Sequence, residues 1–428
     1  MTIDISRIRQ EFPALVRESN GRPRIYFDNP GGTQVPKPVI DRTLESLVDS
    51  NANLGGHFAT SVAADEITQQ ARAAMADFVG AASPGEIMFG QNMTTLTFHM
   101  SRTLGLTLGR GDEIVVTRMD HDANISPWLL LARDRGCTIR WFDFDPSTYE
   151  FDIADLERML TAKTRIVALN YASNSTGTIN DVRGICALVK ARSPSALVYV
   201  DAVQFAPHGL IDVARLGCDF LVCSPYKFFG PHQGVLWGRS EVIEALSPYK
   251  VRPADDRIPY RHETGTLSHE GMAGTLGAVE YLEWVGKTMG RVTGTGSESP
   301  RRARLRAAWE LLGDYEAGLC RQLIAGLERV PGLKIHGITD PQGFHRRVPT
   351  VSFTHDRLSP SALSIALGQE SCFVWNGSNY AIEVTRTLGL LDSGGVLRVG
   401  LAHYNTAEEV ETFLGLLDRI VKRNSIGA

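Results

Sequence analysis

The sequence predicts an α/β protein in which a mostly parallel sheet is covered on both faces by helices and followed by a smaller α+β domain. Short β-branched apolar runs alternate with amphipathic helix-like segments through most of the first 270 residues, the signature of parallel strands with helical crossovers. Beyond that point the pattern changes to long helices with few strands. A chain of 428 residues is long enough for two hydrophobic cores.

Taken in order, "EIMFG" (86–90) leads into the helical "TTLTFHMSRTLGL", and "DEIVVT" (112–117) into "PWLLLARDRG". "CTIRWFDFD" precedes "IADLERMLTA", and "RIVALNYAS" (165–173) precedes "VRGICALVKAR". Three further strands follow: "ALVYVDAVQ" (196–204), "DFLVCS" and "GVLWGR". A helix is expected over "HEGMAGTLGAVEYLEWVGKTM", then an exposed linker over "GRVTGTGSESPRRARLR", rich in Gly, Ser, Pro and Arg. After it come a long helix at 304–330, strands near 333–336 and 349–354, and helices near 360–368 and 406–422. The boundaries expected are an N-terminal segment, 1–25, packing with the small domain; a large domain, 26–285; and a small domain, 286–428.

Composition excludes several classes. Hydrophobic residues are 43% and charged residues 21%, as in ordinary globular proteins. A formal net charge of −4 gives no reason to expect nucleic acid or an anionic membrane. The charged N-terminus "MTIDISRIRQEFPALVRE" lacks an apolar signal core, and no apolar run approaches the roughly 18–20 residues of a membrane span. Six cysteines scattered through apolar contexts suit buried thiols in a reducing cytoplasm. Cys218 and Cys223 make a poor metal pair, and no metal is expected. The "GTGS" at 294–297 lacks a preceding strand and a third glycine, so it is no dinucleotide fingerprint.

In open α/β sheets ligands sit beyond the carboxyl ends of the strands. Four of these ends carry reactive side chains: Asp120-His121, Asn174, Asp201 with Gln204, and Lys227. A lysine in a low-dielectric pocket becomes a usable amine, able to form a Schiff base with pyridoxal 5′-phosphate. That cofactor needs a carboxylate for its pyridine nitrogen, a flat partner for its ring, and N–H groups for its phosphate. Asp201, His121 and the strand-to-helix turn "GQNMTTLTF" (90–98), with Asn92, Met93 and Thr94, meet those needs. Asn92 and the threonines also read as a simple helix cap.

Five ordered motifs, "DHDANISPW" (120–128), "ASNSTGTIND" (172–181), "VDAVQFAPHGLIDV" (200–213), "CDFLVCSPYKFFGPH" (218–232) and "ETGTLSHEGMAG" (263–274), carry a resemblance to cysteine desulfurase-like proteins of class V aminotransferases. It runs from "YFDNPGGTQVP" (26–36) to "LRVGLAHYNTAEEV" (397–410). The resemblance implies the fold-type I architecture, with a seven-stranded, mostly parallel sheet, and a pyridoxal phosphate enzyme. It makes Lys227 the Schiff-base lysine and later the Cα base, Asp201 the partner of the pyridine nitrogen, and His121 the stacked ring. Gln204 and Asn174 then bond the phenolic oxygen, and Thr94 and Ser224 hold phosphate; Tyr226 stands where many desulfurases have a histidine, with a hydroxyl able to bond phosphate in its stead. Thr266 reaches a second subunit's phosphate, which implies a homodimer with a shared site. Arg398 grips the substrate carboxylate, although an ion-pair role competes.

Departures from the pattern bear on the reaction. Desulfurases that pass sulfur on carry a loop with an arginine and a nucleophilic cysteine. In the matching "VWNGSNYA" (374–381), Trp375 and Tyr380 take those places, and a phenol of pKa about 10 holds no persulfide. The nearest thiol in sequence, Cys372, reads as core filler. Trp375, Asn379 and Tyr380 are expected to line the substrate side; His57 in "NLGGHFATS" is either a substrate contact or loop packing. The expected activity is C–S bond cleavage of cysteine or a cysteine S-conjugate without a persulfide cysteine. An aminotransferase, an epimerase, or a non-catalytic scaffold with this fold are the alternatives.

Overall fold

The computed structural model describes residues 3–293 and 298–425, so the "GTGS" segment lies outside the described residues. Its centre is a seven-stranded sheet: β1 (Ile87–Gly90), β2 (Glu113–Thr117), β3 (Thr138–Phe142), β4 (Thr164–Asn170), β5 (Leu197–Asp201), β6 (Phe220–Cys223) and β7 (Gly234–Gly238). The spatial order is β1-β7-β6-β5-β4-β2-β3, and the pairings of β7 with β6 and with β1 are antiparallel. The strand pairs from β6 to β3 are parallel.

Alternation along each strand explains the two-faced burial. Val115, Val167, Leu169, Val198, Val200, Leu221 and Val235 face one core, while Ile114, Val116, Ile166, Ala168, Tyr199, Val222 and Leu236 face the other. A second, four-stranded sheet holds β8 (Leu333–His336), β9 (Thr350–His355), β10 (Trp375–Gly377) and β11 (Val396–Gly400), in the order β8-β9-β11-β10, all antiparallel. Its core includes Val351, Phe353, Leu367, Cys372, Leu397 and Val399.

Two expectations need correction. The segment "PRRARLR" (300–306) is the start of a 28-residue helix, Pro300–Leu327, rather than linker. Ser299 caps it and Pro300 occupies its first turn, a standard helix start. Arg302 donates to the carbonyls of Asp77 and Phe78 (both 2.9 Å), so the basic run is docked instead of solvated. The N-terminal segment also divides its packing. Ile8, Phe12 and Leu15 join the large core, with the Phe12 ring 5.2 Å from Tyr281, whereas Ile25, at the segment's end, joins the small one.

Candidate active site

The carboxyl ends of β2, β4, β5 and β6 open on a cavity of about 260 Å³. It is lined by Lys227, Asp201, Gln204, His121, Asn174, Met93, Thr94 and Tyr226 from the large domain, and by Arg398, Trp375, Asn379 and Tyr380 from the small one. Twelve of the sixteen residues singled out in the sequence thus share one space.

Lys227 sits in a turn of 3-10 helix, Pro225–Lys227, directly after β6. Its Nζ donates to the Pro30 carbonyl and lies 4.8 Å from the Tyr226 ring centroid. Burial, and next the positive Arg398, push its pKa down from 10.5 to about 7. Asp201 ends β5, and its Oδ1 accepts from the Val203 N–H at 2.9 Å. Burial raises its pKa to about 6, against the Val203 hydrogen bond and the Lys227 charge. His121 accepts the Ala123 N–H on Nδ1 at 3.0 Å, which leaves a ring proton to Nε2. Burial and the two nearby cations lower its pKa to about 4, so the ring is neutral and flat.

Arg398, on β11, donates from one nitrogen to Asp28 Oδ1 (3.2 Å) and from another to the Asn174 carbonyl (3.1 Å). The sequence reading did not single out Asp28. It lines the cavity, and burial raises its pKa against the Arg398 charge. An acid followed by the Asn-Pro-Gly-Gly turn was the signal available. Asp120, the strand-end neighbour of His121, does not line the cavity. It accepts from Thr117 Oγ1, Asn124 Nδ2 (2.7 Å) and the Asn170 N–H (3.2 Å), tying the ends of β2 and β4 together. Complete burial raises its pKa to about 8.

Four predicted residues fall outside the lining. Asn92 caps the helix Met93–Gly105, its side chain accepting the Thr95 N–H at 2.9 Å. The capping role leaves Met93 and Thr94 facing the cavity. Ser224 is fully buried at the end of β6. Thr266 lines a separate cavity with Gln91, Thr95 and His232. His57 is exposed and away from the cavity of its own chain.

Hydrogen-bond accounting tests whether the residues fit the expected cofactor. Ser224 Oγ, Asn174 Oδ1, Asn379 Oδ1 and Arg398 Nε are buried without a partner. Each such atom costs about 1–3 kcal/mol, and three of them, on Asn174, Asn379 and Arg398, line one cavity, which marks a ligand site. An amine, an acid, a neutral flat ring and a helix N-terminus in that cavity match the aldehyde, pyridine nitrogen, ring and phosphate of pyridoxal phosphate. The donor set fits.

Comparisons with known proteins agree with that geometry. A family model described as aminotransferase class-V matches residues 25–291 and 307–413. An aminotransferase-like protein of Gibberella zeae is 32% identical over 98% of this chain and 99% of its own length. A probable cysteine desulfurase of Synechocystis is 31% identical, covering 97% of this chain and 95% of its own. The solved apo structure of a cysteine desulfurase from Thermococcus onnurineus is 28% identical, covers 99% of both chains and superposes with a TM-score of 0.85.

Proposed function

The chain belongs to the cysteine desulfurase-like branch of the class V aminotransferases, pyridoxal phosphate enzymes, and from that premise we propose that it cleaves the C–S bond of cysteine or a cysteine S-conjugate without passing sulfur to a cysteine. One observation carries the reading: the cavity unites Lys227, Asp201 and Arg398, and none of its lining residues is a thiol. Tyr380 holds the place of the sulfur-accepting cysteine. Cys372 is fully buried in the small core, and burial pushes its thiol pKa far up. A buried, protonated thiol is a poor nucleophile.

The chain's own groups divide the work. Bound pyridoxal phosphate supplies an electron sink for the bonds at the substrate Cα. Arg398 holds the α-carboxylate, with Asp28 fixing the orientation of the guanidinium. Asp201, ionised above about 6, would keep the pyridine nitrogen protonated. Neutral His121 would cover the ring. Gln204, whose Nε2 donates to Thr350 Oγ1 (2.9 Å), has a second N–H for the phenolic oxygen. Lys227, near half-neutral at pH 7, takes the Cα proton on Nζ. The Cβ–S bond then breaks with its electron pair on sulfur, and the thiolate takes up a proton. One water completes the balance: S-conjugate plus water gives thiol, pyruvate and ammonium.

A second copy of the chain completes the site in this reading. Ile40, Leu44, Leu47 and Val48 form an exposed apolar stripe on the helix Lys37–Asp49, and Phe58 and Val62 expose more apolar surface next to His57. A homodimer covers that surface and brings His57 and Thr266 to the partner's cavity.

The test is a panel of amino acids scored separately for thiol or sulfide, pyruvate, keto acid and Cα hydrogen exchange. Thiol and pyruvate in equal amounts are expected. Sulfide accompanied by alanine refutes the elimination, and keto acid or exchange alone identifies a transaminase or an epimerase. Protein that stays colourless with added pyridoxal phosphate is a scaffold.

A further inference from the structure

We propose that Trp375 and Tyr380 form an aromatic mouth that selects amino acids with a flat, uncharged side-chain group, of which S-benzyl-cysteine is the simplest probe; this rests on the C–S cleavage reading above. Both residues line the cavity, yet Trp375 is 57% and Tyr380 72% exposed. Large aromatic surface beside a cavity is apolar area for a ligand to cover.

Register puts that surface where a substrate side chain must lie. Trp375 on β10 pairs directly with Arg398 on β11. Opposite residues of an antiparallel pair project from the same face, with Cβ atoms about 5 Å apart. An amino acid held at its carboxylate by Arg398 and at its Cα by Lys227 therefore carries its side chain past Trp375.

The Tyr380 backbone is held in place at a cost. Asn379 and Tyr380 have φ of 55° and 57°, the left-handed region. Asparagine tolerates it, but a bulky residue rarely does. The large domain grips this turn from two strand ends: Asn174 Nδ2 donates to the Asn379 carbonyl and the Asp122 N–H to the Tyr380 carbonyl, both at 2.8 Å. The Tyr380 ring lies nearly parallel to His121, centroids 5.3 Å apart at 17°. The tyrosine is thus set against the ring expected to cover the cofactor.

Charge sets the third condition. The ionisable groups lining the cavity are the Asp28–Arg398 pair, Lys227, Asp201, neutral His121 and the phenols of Tyr226 and Tyr380. Each charged one already has a role, so a side-chain carboxylate or ammonium on the substrate would find no partner. A flat, neutral group meets two aromatic faces.

The experiment compares S-benzyl-cysteine with S-methyl-cysteine on wild-type holoenzyme and the variants Trp375→Ala, Tyr380→Ala and Tyr380→Phe. Two readouts are taken: thiol and pyruvate formation, and binding followed by the absorption of the bound cofactor. The wild type is expected to favour the benzyl conjugate, each alanine variant to lose about tenfold of that preference, and the phenylalanine variant to keep it. An unchanged preference in both alanine variants overturns the proposal. If neither conjugate yields thiol and pyruvate but the binding preference exists and vanishes in the alanine variants, C–S cleavage falls and the mouth stands. If both conjugates react equally well in all four proteins, the mouth falls and C–S cleavage stands.

Discussion

Replacing Lys227 with methionine should stabilise the cofactor-free protein at pH 6, because the lysine is a liability to the fold until the cofactor is bound. Burial and Arg398 lower its pKa from 10.5 to about 7. At about 1.36 kcal/mol per decade of proton affinity, that drop is worth at most about 5 kcal/mol. The residue is only half-buried, and water at the mouth screens part of the charge, so about 2 kcal/mol is the expected gain. Methionine matches the length and volume of the stem and carries no charge. The pH dependence separates this cause from packing. An unfolded chain keeps the amine protonated to about 10.5, the folded one only to about 7. Between those limits unfolding takes up a proton, so the wild type gains stability as pH rises. Below about 7 both forms are charged and the penalty is complete. Urea unfolding of cofactor-free wild type and Lys227→Met should therefore show the variant ahead at pH 6 and the gap closing towards pH 10. A constant gap, or a more stable wild type at pH 6, would show that the amine is solvated and the base assignment loses its physical ground.

Arg398→Lys keeps the charge but loses the planar fork; kcat/KM should fall about 10–100-fold for substrates with an α-carboxylate, as steady-state kinetics will show, because the lost hydrogen bonds are to a charged group. If the proposed homodimer forms, Leu44→Glu, which places a carboxylate in the exposed apolar stripe of the helix Lys37–Asp49, should convert it to monomer by light scattering, with activity lost in parallel. Monomer that keeps full activity would contradict a shared site.

The large domain was legible because its information is local. Each parallel strand is a short apolar run, and each reactive side chain follows within a few residues of a strand end, so Lys227, Asp201 and His121 could be placed before any coordinates. The Asp28–Arg398 pair could not. Its members are 370 residues apart, joined because Asp28 bridges to Gly400, the last residue of β11. The arginines of 300–306 misled for a related reason. Composition registers charge, but not that Arg302 finds carbonyls at Asp77, Phe78 and Ile211, or that Arg301 and Arg304 meet Glu283. His57 has the opposite difficulty: its glycine-rich setting looked like a pocket, but the folded chain leaves it on the surface.

Chemistry and selection are assigned to different kinds of sheet, and that division has a physical consequence. Asp201 ends a parallel strand, and Lys227 and His121 follow directly after strands, whose both faces are buried, so the fold fixes them strongly. Arg398 and Trp375 stand opposite each other on antiparallel strands, flanked on β11 by Leu397 and Val399 in the small core. Slipping that register by one residue would turn the guanidinium into the small core and the leucine or valine towards the cavity, so the hydrophobic pattern of β11 fixes the face on which Arg398 stands. The same register fixes Trp375 beside it. Arg118 with Glu383, and Met119 with Ala381 and Val384, then clamp the following turn to the large domain. On the proposed reading, a substitution in 374–381 that keeps those contacts should change which side chain is accepted without moving the amine or the acid.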